Sequence, residues 1–135
     1  MYVKIRKSQL DDDVEEAYRS HFIKGSQKKN PHKERWDRVA GLFGSSNPSD
    51  WRLAIIEADS MLEDLTLRLG YSGATLGERL KQVEPSDFPH LQSAWKAHLV
   101  RNKIAHEGLT YDLSTKEANQ VRKWYEEVFR EARYI

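Results

Sequence analysis

The sequence predicts an all-α protein, an antiparallel helical bundle of about five to six helices with no sheet. Three observations carry this. Apolar residues recur three and four apart in each long segment, as in Trp51, Ile55, Ala58, Leu62, Leu65 and Leu69, and on a helix that spacing lines one side. Two segments open on a capping-box pattern, Thr75 with Glu78 and Ser114 with Glu117, which lets a hydroxyl and a carboxylate satisfy the first backbone N–H groups of a helix. No stretch alternates apolar and polar residues over the length of a strand.

In chain order, the first helix is predicted from Asp11-Asp12-Asp13, where carboxylates meet the positive end of the helix dipole, through Val14, Ala17, Tyr18, His21 and Phe22 to Gly25. A polar connector, Ser26 to Asn30, leads to Pro31 and a second helix carrying Trp36, Val39, Ala40, Leu42 and Phe43. Gly44-Ser45-Ser46-Asn47-Pro48 breaks the chain, and the strongest helix follows, from Ser49 or Asp50 to about Leu69. Gly70-Tyr71-Ser72-Gly73 turns into a short helix opened by Thr75, faced by Leu76, Leu80 and Val83 and closed by Pro85. A long helix is predicted next, from an Asp87 N-cap with Pro89 in its first turn to Gly108, which can take the left-handed conformation that ends helices. Leu109 to Leu113 is a linker, and the last helix aligns Ala118, Val121, Tyr125, Val128 and Ala132, supported by Trp124 and Phe129. The Trp51 helix, the Asp87–Gly108 helix and the last helix are expected as near-antiparallel neighbours.

A chain of 135 residues fits one compact domain, with residues 1–47 as basic N-terminal helices and 48–135 as the helical core. Its 22 basic and 21 acidic residues give no global pull toward nucleic acid, so RNA binding would rest on a local patch. The one basic concentration runs from Lys24 through Lys28, Lys29, Lys33 and Arg35 to Arg38, against Glu34 and Asp37. Lys28, Lys29, Lys33 and Arg35 are its candidate contacts to a phosphate backbone, with anionic lipid as the alternative. The absence of cysteine removes disulfides, thiolate nucleophiles and Cys-ligated zinc. Glu57, Asp59, Glu63 and Asp64 have no histidine at a coordinating spacing, so they are read as surface charge, with Asp64 and Arg68 as an i, i+4 pair. Neither a metal nor another cofactor is expected. No stretch approaches the ~20 apolar residues of a membrane span and no signal-peptide core follows Met1, which predicts a cytoplasmic protein. Lys4, Arg6 and Lys7 would suit a place at the cytoplasmic face of a membrane if an anchor precedes them.

The densest chemistry lies in Leu99-Val100-Arg101-Asn102-Lys103-Ile104-Ala105-His106-Glu107-Gly108. At ~100° per residue Ala97, Val100 and Ile104 fall on one side of this helix. Leu91, Ala94, Trp95, His98, Leu99, Asn102, Ala105 and His106 fill a broad sector on the other, with Arg101 at its margin. A surface helix needs only one apolar stripe, so the second face asks for a partner. Asn102 and His106 share a face, whereas Arg101 and His106 lie ~140° apart, too far for one helix to aim both at one atom.

The Arg101, Asn102 and His106 pattern, at the end of a long helix and before a final one, resembles the signature of the HEPN superfamily. The wider stretch from Trp51 to Tyr125, including Ala74-Thr75-Leu76-Gly77-Glu78-Arg79-Leu80, resembles bacterial HEPN-like proteins that often carry an N-terminal membrane anchor. The first 50 residues are not covered. The resemblance implies a two-fold homodimer in which two motif helices meet and their Arg and His side chains surround one cleft, here through Leu91, Trp95, His98 and Leu99. It implies metal-independent endoribonuclease chemistry, in which the ribose 2′-hydroxyl attacks the adjacent phosphate and leaves a cyclic phosphate end. Arg101 would hold phosphate oxygens, His106 would take or deliver a proton, and Asn102 would orient one of them. His98 is read mainly as a structural histidine, and Lys103 as solvated. The partners of this reading are RNA as substrate, a second copy, an antitoxin or other protein partner, and a membrane only through a segment not in this chain. The alternative is a catalytically inactive helical dimerisation or interaction module, in which Arg101 pairs with an acidic residue of the bundle and Asn102 bonds across the helix pair.

Overall fold

The computed structural model describes residues 29–135. The helix expected from Asp11 to Gly25, and the basic residues Lys4, Arg6, Lys7, Lys24 and Lys28, lie outside the described residues. Among the described residues five α-helices follow one another: α1 Pro31–Phe43, α2 Pro48–Arg68, α3 Leu76–Lys81, α4 Leu91–Glu107 and α5 Thr115–Glu131. Short 3-10 turns occur at Pro85–Asp87 and Gly108–Thr110. Among the described residues there is no strand, and no helix is long and apolar enough to cross a membrane.

Four of the five helices start on a side chain that accepts from otherwise unpaired backbone N–H groups. Asn30 serves His32 and Lys33, Asn47 serves Ser49, Thr75 serves Glu78, and Ser114 serves Glu117. In the first capping box the Glu78 carboxylate reaches back to the Ala74 N–H at 2.9 Å. In the second the Glu117 carboxylate instead takes the Tyr111 hydroxyl at 2.6 Å and so ties the linker to α5. Burial and that carboxylate push the Tyr111 phenol up to about 12.

The start of α4 differs from the expectation. Asp87 sits in a 3-10 turn rather than at an N-cap, Pro89 precedes the helix, and His90 caps it without a side-chain bond. The residue before a proline is driven out of the helical region. Accordingly Phe88 adopts φ −146° and ψ 81° and is buried, with its ring edge-on to Tyr71 at 6.4 Å between centroids.

Paired contacts give the helix directions. Arg52 at the start of α2 donates to the carbonyls of Gly108 and Tyr111 beyond the end of α4, while Asp59 further along α2 meets His98 further back in α4, so the two run antiparallel. Ser93 with Glu127, and Lys96 over the Trp124 ring, make α4 and α5 antiparallel as well. It follows that α2 and α5 are parallel, as Asp59 with Tyr125 and Asp64 with Tyr134 show; the expectation that all three neighbours are mutually antiparallel is corrected on this pair. Tyr125, Phe129, Ile55, Met61, Leu62, Leu80, Val121 and Val128 fill the centre. Trp36 of α1 meets Phe129 of α5 edge-on at 5.4 Å, so α1 belongs to this core and residue 47 marks no packing boundary.

Two polar staples close the bundle. Arg79 of α3 is 2% exposed and is held by Thr66 Oγ1 at 3.0 Å, the Gly73 carbonyl at 2.8 Å and Glu63 at 3.0 Å. That hold draws the backbone tight: a Cβ on Gly73 would stand 2.8 Å from the Arg79 nitrogen, and Gly73 has φ +143°. Within the same turn of α2 the Tyr134 hydroxyl donates to Asp64 at 2.6 Å and its ring stacks on His32 at 4.2 Å. Burial raises the Asp64 carboxyl, but the hydrogen bonds from Tyr134 and Arg68 outweigh it and leave it below its ordinary value. Burial, then Arg68, lowers His32 from its ordinary 6.5.

Gly73→Ala is expected to cost about 1–3 kcal/mol in urea unfolding, from strain and the close approach. Gly41→Ala, helical and with nothing within 4 Å of its added Cβ, is expected to gain up to about 1 kcal/mol. Because folding depresses His32, its stabilising effect is complete above its unfolded value of 6.5 and is lost as pH falls through the folded value. His32→Phe, which keeps a ring for stacking, is therefore expected to flatten the loss of thermal stability below about pH 6.5.

Candidate functional site

Asp59 lies inside the apolar stripe of α2, ~40° around the helix from Ile55 and ~60° from Leu62. It is 5% exposed, which corrects its reading as surface charge. A buried carboxylate has to be met by donors, and two neighbouring helices supply them. The Tyr125 hydroxyl of α5 donates to Oδ1 at 2.8 Å, and His98 Nδ1 of α4 lies 3.0 Å from Oδ2. Arg101 Nε, also from α4, stands 3.7 Å from Oδ2. Burial, then the Asp59 carboxylate, pushes the Tyr125 phenol well above its ordinary range, so it remains a donor at any physiological pH.

The network continues outward. With the Nδ1 proton directed at Asp59, His98 Nε2 is the acceptor that faces the Asn102 amide nitrogen at 3.4 Å. Asn102 Oδ1 in turn takes Arg101 Nη1 at 3.4 Å. Asp59, His98, Asn102 and Arg101 thus form a ring in which Asp59 and His98 are buried, Arg101 is half-buried and Asn102 is exposed. Around Asp59, Gly77 of α3 leaves 3.8 Å between its would-be Cβ and His98 Nε2. Trp95 is half-buried with its ring 6.3 Å from the His98 ring.

Of the residues expected at the site, Arg101 and Asn102 are therefore brought together, and His106 is not part of their cluster. His106 is exposed in the last turn of α4, one turn beyond Asn102 on the same face. Gly108 then ends the helix at φ 60° and ψ −135°, a conformation that glycine adopts without strain. Of the four expected interface residues, Leu91 and His98 are buried within the subunit, because α4 turns this sector toward α2 and α3. Trp95 keeps part of its ring on the surface, and Leu99 is 51% exposed. The basic candidates fare differently. Lys33 pairs with Asp37 at 2.9 Å and Arg35 with Glu57 at 2.7 Å, Lys29 is exposed, and Lys28 lies outside the described residues. Glu57 and Asp59 are ~200° apart on α2, so Arg35 sits across that helix from the network.

Two members escaped the sequence reading, Asp59 and Tyr125. The signal for Asp59 was present: an acidic residue between two core positions of a periodic stripe. Tyr125 sat in the core stripe of α5, where a phenol needs a hydrogen-bond partner. Leu53, Ile56 and Leu67, exposed on α2, were also missed as apolar surface. Among the described residues no group of three His, Asp or Glu side chains could hold a metal ion. No protein-family model matches the chain, and no similar curated protein or solved structure was found.

Tyr125→Phe removes one donor from the buried carboxylate and is expected to cost about 1–3 kcal/mol by chemical unfolding, with α-helical circular dichroism retained.

Proposed function

We propose that the chain is a metal-independent endoribonuclease of the HEPN type, working as a homodimer with Arg101, Asn102 and His106 of two copies around one cleft. The observation that carries the reading is the end of α4. A guanidinium whose inner edge meets Asp59 stands beside an exposed amide, and an exposed imidazole lies one turn on. Arg101 and His106 of one copy diverge by ~140°, so a second copy is what brings guanidinium and imidazole onto one phosphate. Exposed Leu99 beside them supplies apolar surface for such a two-fold contact.

In this reading the ribose 2′-oxygen bonds to phosphorus as the bond to the 5′-oxygen breaks. A cyclic phosphate and a free 5′-hydroxyl result. The 2′-hydroxyl proton leaves to a base and the 5′-oxygen receives one, both within reach of imidazole chemistry at neutral pH. Arg101 offsets the charge that grows on the phosphate oxygens. A second reading, an inactive dimerisation or interaction module, has an observation of its own: Arg101 and Asn102 already have partners inside the subunit.

Purified protein incubated with mixed RNA in EDTA tests the proposal. Cleavage to cyclic phosphate ends is expected from the wild type, with a loss of about 100- to 10,000-fold for His106→Ala and an unchanged melting temperature, since His106 is exposed. Cleavage that survives the substitution, or none from a dimeric wild type, turns the assignment to the interaction module.

A further inference from the structure

We infer that Asp59 is the positioning residue of Arg101, and that the ring through His98 and Asn102 exists to hold one guanidinium plane at the surface. This rests on the ribonuclease reading above.

The cost of the arrangement points to it. Removing a carboxylate from water is expensive, and a well-packed apolar residue at such a position is often as stable or more so. Asp59 nevertheless stands at the junction of α2, α4 and α5, and its surroundings are specialised for it. Tyr125 is a donor that does not ionise there, and His98 presents a ring nitrogen to each side, one to Asp59 and one to Asn102. These two partners already supply Asp59 with hydrogen bonds from α4 and α5. Arg101 is the additional charge, and its placement is asymmetric. Its Nε is fully buried and has no hydrogen-bond partner within bonding distance, and Asp59 Oδ2 lies 3.7 Å from it. The side chain as a whole is 37% exposed, so the inner edge faces the carboxylate while the outer edge faces solvent.

A guanidinium is planar, so fixing Nε and Nη1 fixes where the remaining N–H groups point. Asp59 attracts the first and Asn102 Oδ1 accepts from the second. Asn102 is itself oriented by His98, which is oriented by Asp59. Each contact needs the one before it, and the chain of contacts starts and ends on the same carboxylate. Asp59 does not touch the reacting atoms, because Tyr125, His98 and Arg101 enclose it.

The test has two arms. The first needs no activity: in the wild-type protein the Arg101 Nε–H, followed by nitrogen-resolved NMR, is expected to exchange with water at least tenfold more slowly than that of exposed Arg133. Equal exchange overturns the inference. The second arm measures RNA cleavage by Asp59→Asn, Arg101→Ala and the double variant. Asp59→Asn is expected to lower kcat about 10- to 100-fold with KM within threefold, as misplacement of a catalytic group does. If Asp59 acts through Arg101, the double variant is no slower than Arg101→Ala alone. Losses that multiply overturn the inference and leave Asp59 a structural residue. Should Asp59→Asn not fold, Arg101→Lys takes its place. It keeps the charge but not the held plane, and activity within twofold of wild type counts against positioning. Absence of cleavage by the wild type removes the ribonuclease reading, and the anchoring of Arg101 then stands or falls on the exchange arm.

Discussion

A carboxylate taken out of water must be answered by donors, and in this bundle that requirement joins three helices at one point. Asp59 belongs to α2, His98 and Arg101 to α4, Tyr125 to α5. The hydrophobic attraction between the helices is not itself directional. The hydrogen bonds at Asp59 are directional, so they set the register of α2 against α4 and of α2 against α5 together. The same register carries Arg52 to the carbonyls of Gly108 and Tyr111, just beyond the end of α4.

The ends of the bundle are held on the same pattern of a polar group buried against a specific partner. Arg79 binds α3 to α2 through Thr66 and Glu63, and Tyr134 brings the last residues onto α2 and α1 through Asp64 and His32. Trp51 does the equivalent at the α1–α2 turn, where its indole N–H donates to the Ser45 carbonyl at 2.6 Å. Each of these residues has an apolar body that adds to the core and one polar end with a defined destination. The chemistry-bearing end of α4 is thereby placed on a rigid element, one whose outer surface holds Leu99, Asn102 and His106 in a row.

Local signals account for most of what was legible in advance. Thr75 and Ser114 cap their helices as their spacing to Glu78 and Glu117 predicts, because each competes for backbone N–H groups only a few residues away; Asn30 and Asn47, not read as caps in the sequence, act by the same local rule. The core stripe of α2 was legible for a related reason: Trp51, Ile55, Ala58, Leu62 and Leu65 are all buried, as their spacing requires. Where sequence spacing misled, a neighbour decided. Leu91 and His98 fell in the sector read as an outer face, but both are buried within the subunit, His98 against Asp59 of α2 and beside Gly77 of α3. Lys33 and Arg35, candidate phosphate contacts in the sequence, each have a carboxylate beside them, Asp37 on the same helix and Glu57 on α2. Glu117 completed a capping pattern on paper and was drawn instead to Tyr111.

The sequence by itself determined the helical class, the order of the helices and most of their boundaries, since periodicity, caps and breakers act within one or two turns of chain. It also placed a guanidinium, an amide and an imidazole, those of Arg101, Asn102 and His106, within six residues at the end of one long helix. Only the tertiary structure decided that Asp59 is buried rather than solvated, that Tyr125 and His98 answer it, and that Arg101 turns its inner edge to this cluster while His106 stays outside. Those facts depend on which helices meet and at what rotation. Rotation is set by the summed packing of five helices, a quantity that no single segment contains.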